Sequence, residues 1–278
     1  MRRLFWHEMR IRALAIVGWG LGLSLLPAMY VGIYPEFSAK MAGLQELMEL
    51  PIYQAMGMSM ATFEAYLAST VTNMVPLILA IYAILNGTST LAGEEEDGRL
   101  ELLLALPIPR WQILTVKAAA LCLALFLILA ICSASAAITL QVIKAEVHTA
   151  VTPADIYFAL LASWPLVTSF AMISVFLGAF APRRRIASLT ATLLVVVSYF
   201  GANLAAMNTS IASLQKLFLF HYFDATARGV TDGQSVGDSL LLIAVTLVTF
   251  GLALFFFQRR DITVGAWPWQ RRSGVASP

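Results

Sequence analysis

The sequence predicts an all-α polytopic membrane protein with six transmembrane helices. Three observations carry this. The chain is 59% hydrophobic, has a mean hydropathy of +0.79 and is only 12% charged, where soluble domains average about 25%. It holds six apolar runs of 18 to 25 residues, at about 13–33, 68–85, 118–140, 157–181, 186–206 and 240–257. Such runs match a hydrocarbon core of about 30 Å at about 1.5 Å per helical residue. The basic residues are also segregated. With six spans, fourteen of the eighteen lysines and arginines fall on one side, and the exceptions are Lys40, Lys144, Lys216 and Arg228. The positive-inside rule then puts both termini in the cytoplasm of a cell (plasma) membrane protein.

Residues 1–12 mix Arg2, Arg3, Arg10 and Arg12 with Leu4, Phe5, Met9 and Ile11, a composition suited to a separate interfacial helix. The run 13–33 is longer than a signal-peptide core and no small-x-small cleavage site follows it, so it reads as a retained first span. Its Gly18 and Gly22 form one Gly-x-x-x-Gly pair, expected to pack inside the bundle. In the outer loop 34–66, Phe37, Met41, Leu44 and Met48 recur at helical spacing before Pro51, which predicts an amphipathic helix on the outer leaflet. Span two contains Asn73 and Pro76; the proline frees a carbonyl and predicts a kink. Asn73 faces either a helix neighbour or a polar cavity. Pro165 lies in span four, and Pro182 to Arg185 form a tight inner turn. Residues 207–239 are too apolar for a free loop and too interrupted to span, which predicts a re-entrant or interfacial helix before span six. Cys122 and Cys132 share one apolar run, which indicates neither a disulfide framework nor a metal site.

One polar stretch stands apart. Gly93 to Gly98 carries Glu94, Glu95, Glu96 and Asp97 in succession, and a short apolar helix, Leu100 to Leu106, comes next, before Pro107 and Pro109. Four acids at membrane depth would cost on the order of 10 kcal/mol, so the stretch is expected in water, as a docking element on the membrane surface. Elsewhere chemistry is sparse. There is no P-loop, no Gly-x-Ser-x-Gly and no His-Glu-x-x-His, the last despite the pair His7-Glu8. The spans carry almost no ionisable residues of the kind that couple secondary transport. An energy source on a cytoplasmic partner is therefore expected.

The stretch from Gly93 through Leu106-Pro107-Ile108-Pro109-Arg110, with Ile113, Leu114 and Lys117 after it, resembles the first cytoplasmic loop of ABC-2 type permeases, the membrane subunits of ABC exporters. Leu214-Gln215-Lys216-Leu217, Phe220-His221-Tyr222 and Gly229 before the last span, and Arg259-Arg260-Asp261-Ile262 after it, extend the resemblance over essentially the whole chain. The family more often has Thr where Arg99 stands and Ser where Pro109 stands. The loop of the importers does not fit, since only seven residues separate Gly98 from Leu106.

The resemblance implies a coupling helix in this loop, seated in a groove of a separate ATPase subunit. Leu100, Leu103 and Leu104 would fill the groove, and Glu94, Glu95, Glu96 and Glu101 would contact its rim. Gly98 would permit the turn, and Arg110 and Lys117 would anchor the return at lipid headgroups. It also implies an ATPase partner with a P-loop, a second permease copy or paralogue, and a pathway between protomers near spans two and five. Thr70 and Asn73 on span two, and Ser198 and Asn203 on span five, are candidates to line that pathway. No cofactor is expected on this chain, with ATP and magnesium on the partner, and no nucleic-acid partner. Two other classes compete: an integral-membrane enzyme modifying lipid, for which only the 94–97 cluster offers acids, and an accessory membrane protein that docks a cytoplasmic partner without transport.

Overall fold

Six long helices, each apolar enough to cross a membrane, dominate the computed structural model, which describes residues 2–40, 62–98, 100, 108–147, 149–207 and 209–259. We number them α1 (Arg2–Lys40), α2 (Phe63–Glu96), α3 (Arg110–Ile143), α4 (Pro153–Phe180), α5 (Arg184–Met207) and α6 (Val236–Arg259). Each is longer than the apolar run that predicts it. The expected outer-leaflet helix falls mostly on residues 41–61, outside the described residues.

Helix α1 runs unbroken from Arg2 and packs lengthwise along α3. The basic segment is therefore the first turns of the first span rather than a separate interfacial helix. Glu8 is buried on the side that faces the bundle, which ties those turns into the span. The Gly-x-x-x-Gly expectation is also corrected. A Cβ on Gly20 would sit 2.8 Å from Ile131 Cδ1, so it is Gly20 that packs on α3. Gly18 and Gly22 meet nothing within 4 Å of a Cβ and face out of the protomer.

Helix α2 is interrupted by two π-helical turns, Ala68–Thr72 and Ser89–Gly93. Both are rich in hydroxyls, and the hydroxyls explain them. Widening a turn weakens the i→i−4 ladder, and Ser or Thr side chains can satisfy the carbonyls that result. Ser69 and Thr70 donate to Tyr66 O at 3.1 and 2.5 Å. At the other end Ser89 and Thr90 donate to Asn86 O at 3.1 and 2.7 Å. The first π turn ends at Thr72, four residues before Pro76, and the Thr72 carbonyl is the one a regular helix would bond to the N–H that Pro76 lacks. In the second half of α2 the backbone approaches α4 closely. A Cβ on Gly87 would lie 2.7 Å from Ser174 Cβ and 2.8 Å from Ala171 O, an approach that small residues alone permit.

The second half of α4 (Trp164–Phe180) is the centre of the bundle, packed by α2, α5 and α6. It is separated from Pro153–Leu161 by a turn at Ala162 and Ser163, and Pro165 stands at the start of the new segment, where a missing N–H costs least. After α5 the chain forms two 3-10 segments, Thr209–Leu217 and Leu219–Tyr222, and a short helix, Ala227–Thr231. Phe220 and Phe223 are buried and anchor this segment, with Phe220 against Phe170 of α4 and Tyr199 of α5. It is a string of short turns rather than one helix.

Candidate functional site

The polar stretch lies at the end of α2; Glu94 and Glu95 turn inward, while Glu96 and Asp97 stay exposed. The second π turn adds one residue to the helix, which rotates the residues beyond it by about 100° relative to a regular α-helix. Glu94 then meets Lys117 of α3: Lys117 Nζ donates to Glu94 Oε1 and to Glu8 Oε1 of α1, both at 2.7 Å. Lys117 is only 1% exposed. Arg12 extends the network, with Nη2 3.6 Å from Glu8 Oε2 and Nη1 donating to Asn86 Oδ1 at 3.1 Å. Two acids and two bases make the cluster formally neutral. That balance is what allows burial, because an unpaired charge there would cost several kcal/mol. Glu95 is buried. Glu96 Oε1 accepts the Arg184 N–H at 2.8 Å, which satisfies a free donor at the start of α5 and places a carboxylate at its positive end.

The chain then reverses. Gly98 has φ +70°, a conformation that favours glycine, and Leu100 is buried in the main core. On the return, Arg110 Nη1 donates to Phe257 O near the end of α6 at 3.4 Å. One short stretch thus links the ends of α1, α2, α3 and α5, and the return links to α6.

Two expectations are corrected here. The four acids were expected in water; Glu96 and Asp97 are exposed, but Glu95 is buried and Glu94 is drawn into the ion cluster. Lys117 was expected at lipid headgroups, but it is the buried centre of the ion cluster. Glu8, Arg12 and Asn86 were not foreseen as site residues. The available signal was Lys117 itself, an ionisable residue adjoining an apolar run, which demands a partner. Glu101, Leu103 and Leu104 lie outside the described residues.

The four pathway candidates separate into pairs. Asn73 and Asn203 both line a cavity of about 560 Å³, together with Gln215, His221, Asp224, Arg228 and Asp238. Thr70 and Ser198 are not among its lining residues. The Thr70 hydroxyl is bonded to its own helix, and Ser198 Oγ accepts the Phe220 N–H at 3.2 Å. Asn73 is 21 residues from Glu94, which places the cavity about 30 Å along α2 from the ion cluster.

The chain belongs to the ABC-2 family transporter proteins, whose family match covers residues 2–262. It is a multi-pass membrane subunit of a transporter. A comparison with curated proteins gives no match.

Proposed function

We propose that this chain is the permease subunit of an ATP-driven exporter, works as a dimer with a second copy or a paralogue, and is driven by a separate ATPase subunit with a P-loop. ATP and magnesium belong to that partner. The observation that carries the proposal is the link from Glu94 to Lys117 and Glu8, with Glu96 on the Arg184 amide, immediately before the 99–107 segment. A force applied to that segment reaches α1, α3 and α5 through hydrogen bonds of 2.7–2.8 Å. Leu103, Leu104 and Glu101 dock on the ATPase. Leu100, Gly98, Glu94, Glu95, Glu96 and Arg110 hold the docking helix to the bundle. Asn73 and Asn203 line the outer part of the pathway. The basic flanks of the spans support an inward orientation for both termini in the plasma membrane.

Purification of the tagged chain in mild detergent, with identification of co-purifying proteins, tests this. The expected result is a stoichiometric P-loop ATPase that is lost with Leu103→Arg while the permease stays folded. A stoichiometric partner without a P-loop would favour the accessory reading. A chain that purifies alone from several detergents would contradict the proposal.

A further inference from the structure

The first turns of α1 have two faces. Glu8 and Arg12 look into the bundle and are fixed by Lys117 and Asn86. About 170° away, at about 100° per residue, lie Arg2, Arg3, Trp6, His7 and Arg10, within an arc of about 140°. These five residues line a surface groove of about 540 Å³. All five are exposed, Trp6 by 63%. No acidic side chain among the described residues pairs with the three arginines. The ion cluster thus balances its own charges, while three guanidinium groups stand without an acidic partner on one short face.

We propose that this groove binds the headgroup of an anionic phospholipid. Guanidinium forks match phosphate oxygens in two-point geometry, and three of them around one groove fit a phosphodiester. The depth points to a lipid rather than a soluble anion. Arg10 precedes the apolar run at Ala13 by about one helical turn, and α1 continues unbroken through that run. The groove therefore stands at the level where headgroups lie. Exposed Trp6 suits the same level, since its ring is apolar and its N–H is polar. The opposite face of these turns is held by the ion cluster, so the arginines are presented on a fixed backbone and little ordering is needed to bind.

The full chain in detergent is titrated with short-chain phosphatidylglycerol and with phosphatidylcholine, and binding is read by native mass spectrometry. Each basic residue at an anionic surface contributes about five-fold, so the triple variant R2Q/R3Q/R10Q is expected to lose affinity for phosphatidylglycerol on the order of a hundred-fold. The control R183Q/R185Q, which removes two exposed arginines flanking the start of α5, is expected to lose far less. In vesicles, brominated phosphatidylglycerol is expected to quench tryptophan fluorescence more than brominated phosphatidylcholine, and Trp6→Phe is expected to remove the excess. This measurement needs no arginine variant to fold. Equal losses in the two arginine variants would reduce the site to diffuse charge and overturn the proposal. So would equal quenching by the two lipids, or equal competition by soluble glycerol phosphate. Protection of the cluster by a co-purified ATPase, without retained lipid, would instead assign the groove to an acidic protein surface.

Discussion

The two ends of α2 are built from the same device and put to different use. Each end has a π turn lined by hydroxyls that bond back to the helix. At the Glu94 end, the inner one in the proposed orientation, the turn delivers Glu94 into a cluster in which Lys117 meets two carboxylates and is almost wholly buried. At the opposite end, the outer one in that orientation, the turn leads to Asn73, which borders a cavity of about 560 Å³. The inner end joins α1, α2 and α3 through side-chain ion pairs. The outer end keeps polar groups beside open volume. Under the proposed coupling, the difference makes α2 a lever, gripped at one end and facing a space at the other.

The sharpest way to break the comparison is at Lys117. Lys117→Met leaves Glu8 and Glu94 buried with only Arg12 to balance them, and it should cost about 3–5 kcal/mol, seen as a large drop in thermal unfolding temperature in detergent. K117M/E94Q restores the charge balance and should recover much of that loss. A double variant no more stable than K117M would mean the cluster is not held by its charges. The next largest effect is steric. Gly87→Val should destabilise by about 1–3 kcal/mol, because its Cβ meets Ser174 and the Ala171 carbonyl. Glu96→Ala removes one bond to the Arg184 amide and should cost about 1 kcal/mol. The outer end should respond differently. Asn203→Ala should change unfolding temperature little, since the Asn203 amide donates to Tyr199 O of its own helix, yet alter ligand-dependent protection of the cavity. The smallest effect is expected for Gly18→Ala and Gly22→Ala. Both face open space, so within one protomer they should stay within about 0.5 kcal/mol of the parent.

The fold class was legible because its signal is one-dimensional. Apolar length and basic segregation are local properties of the sequence, and α1 to α6 arise from them. The site was legible in position but not in geometry. Four successive acids mark a special place, and Gly98 marks the turn. What hid their partners was the π turn at 89–93, since a single extra helical residue redirects every side chain after it and no periodicity announces it. Lys117 was misplaced for a related reason. A lysine beside an apolar run can snorkel to the headgroups or be buried by acids from other helices, and the choice depends on Glu8, 109 positions away in sequence. The glycines of α1 show the same limit. Spacing identifies a close-packing face, while the neighbour that uses it, Ile131 on Gly20 rather than any residue on Gly18 or Gly22, is set by the fold.

The most direct test of the lever asks whether the outer end moves when the inner end is driven. Spin labels at Ser235, which lines the outer cavity, in a background with Cys122 and Cys132 changed to alanine, report the distance between the two copies of the proposed dimer. The distance is measured by pulsed EPR with the co-purifying ATPase, in the resting state and trapped with ATP and vanadate. The parent protein should show a change on trapping. Glu94→Gln, which leaves Lys117 paired with Glu8, should keep the ATPase bound but lose most of that change. An outer distance that responds as fully in Glu94→Gln as in the parent would contradict transmission through the ion cluster.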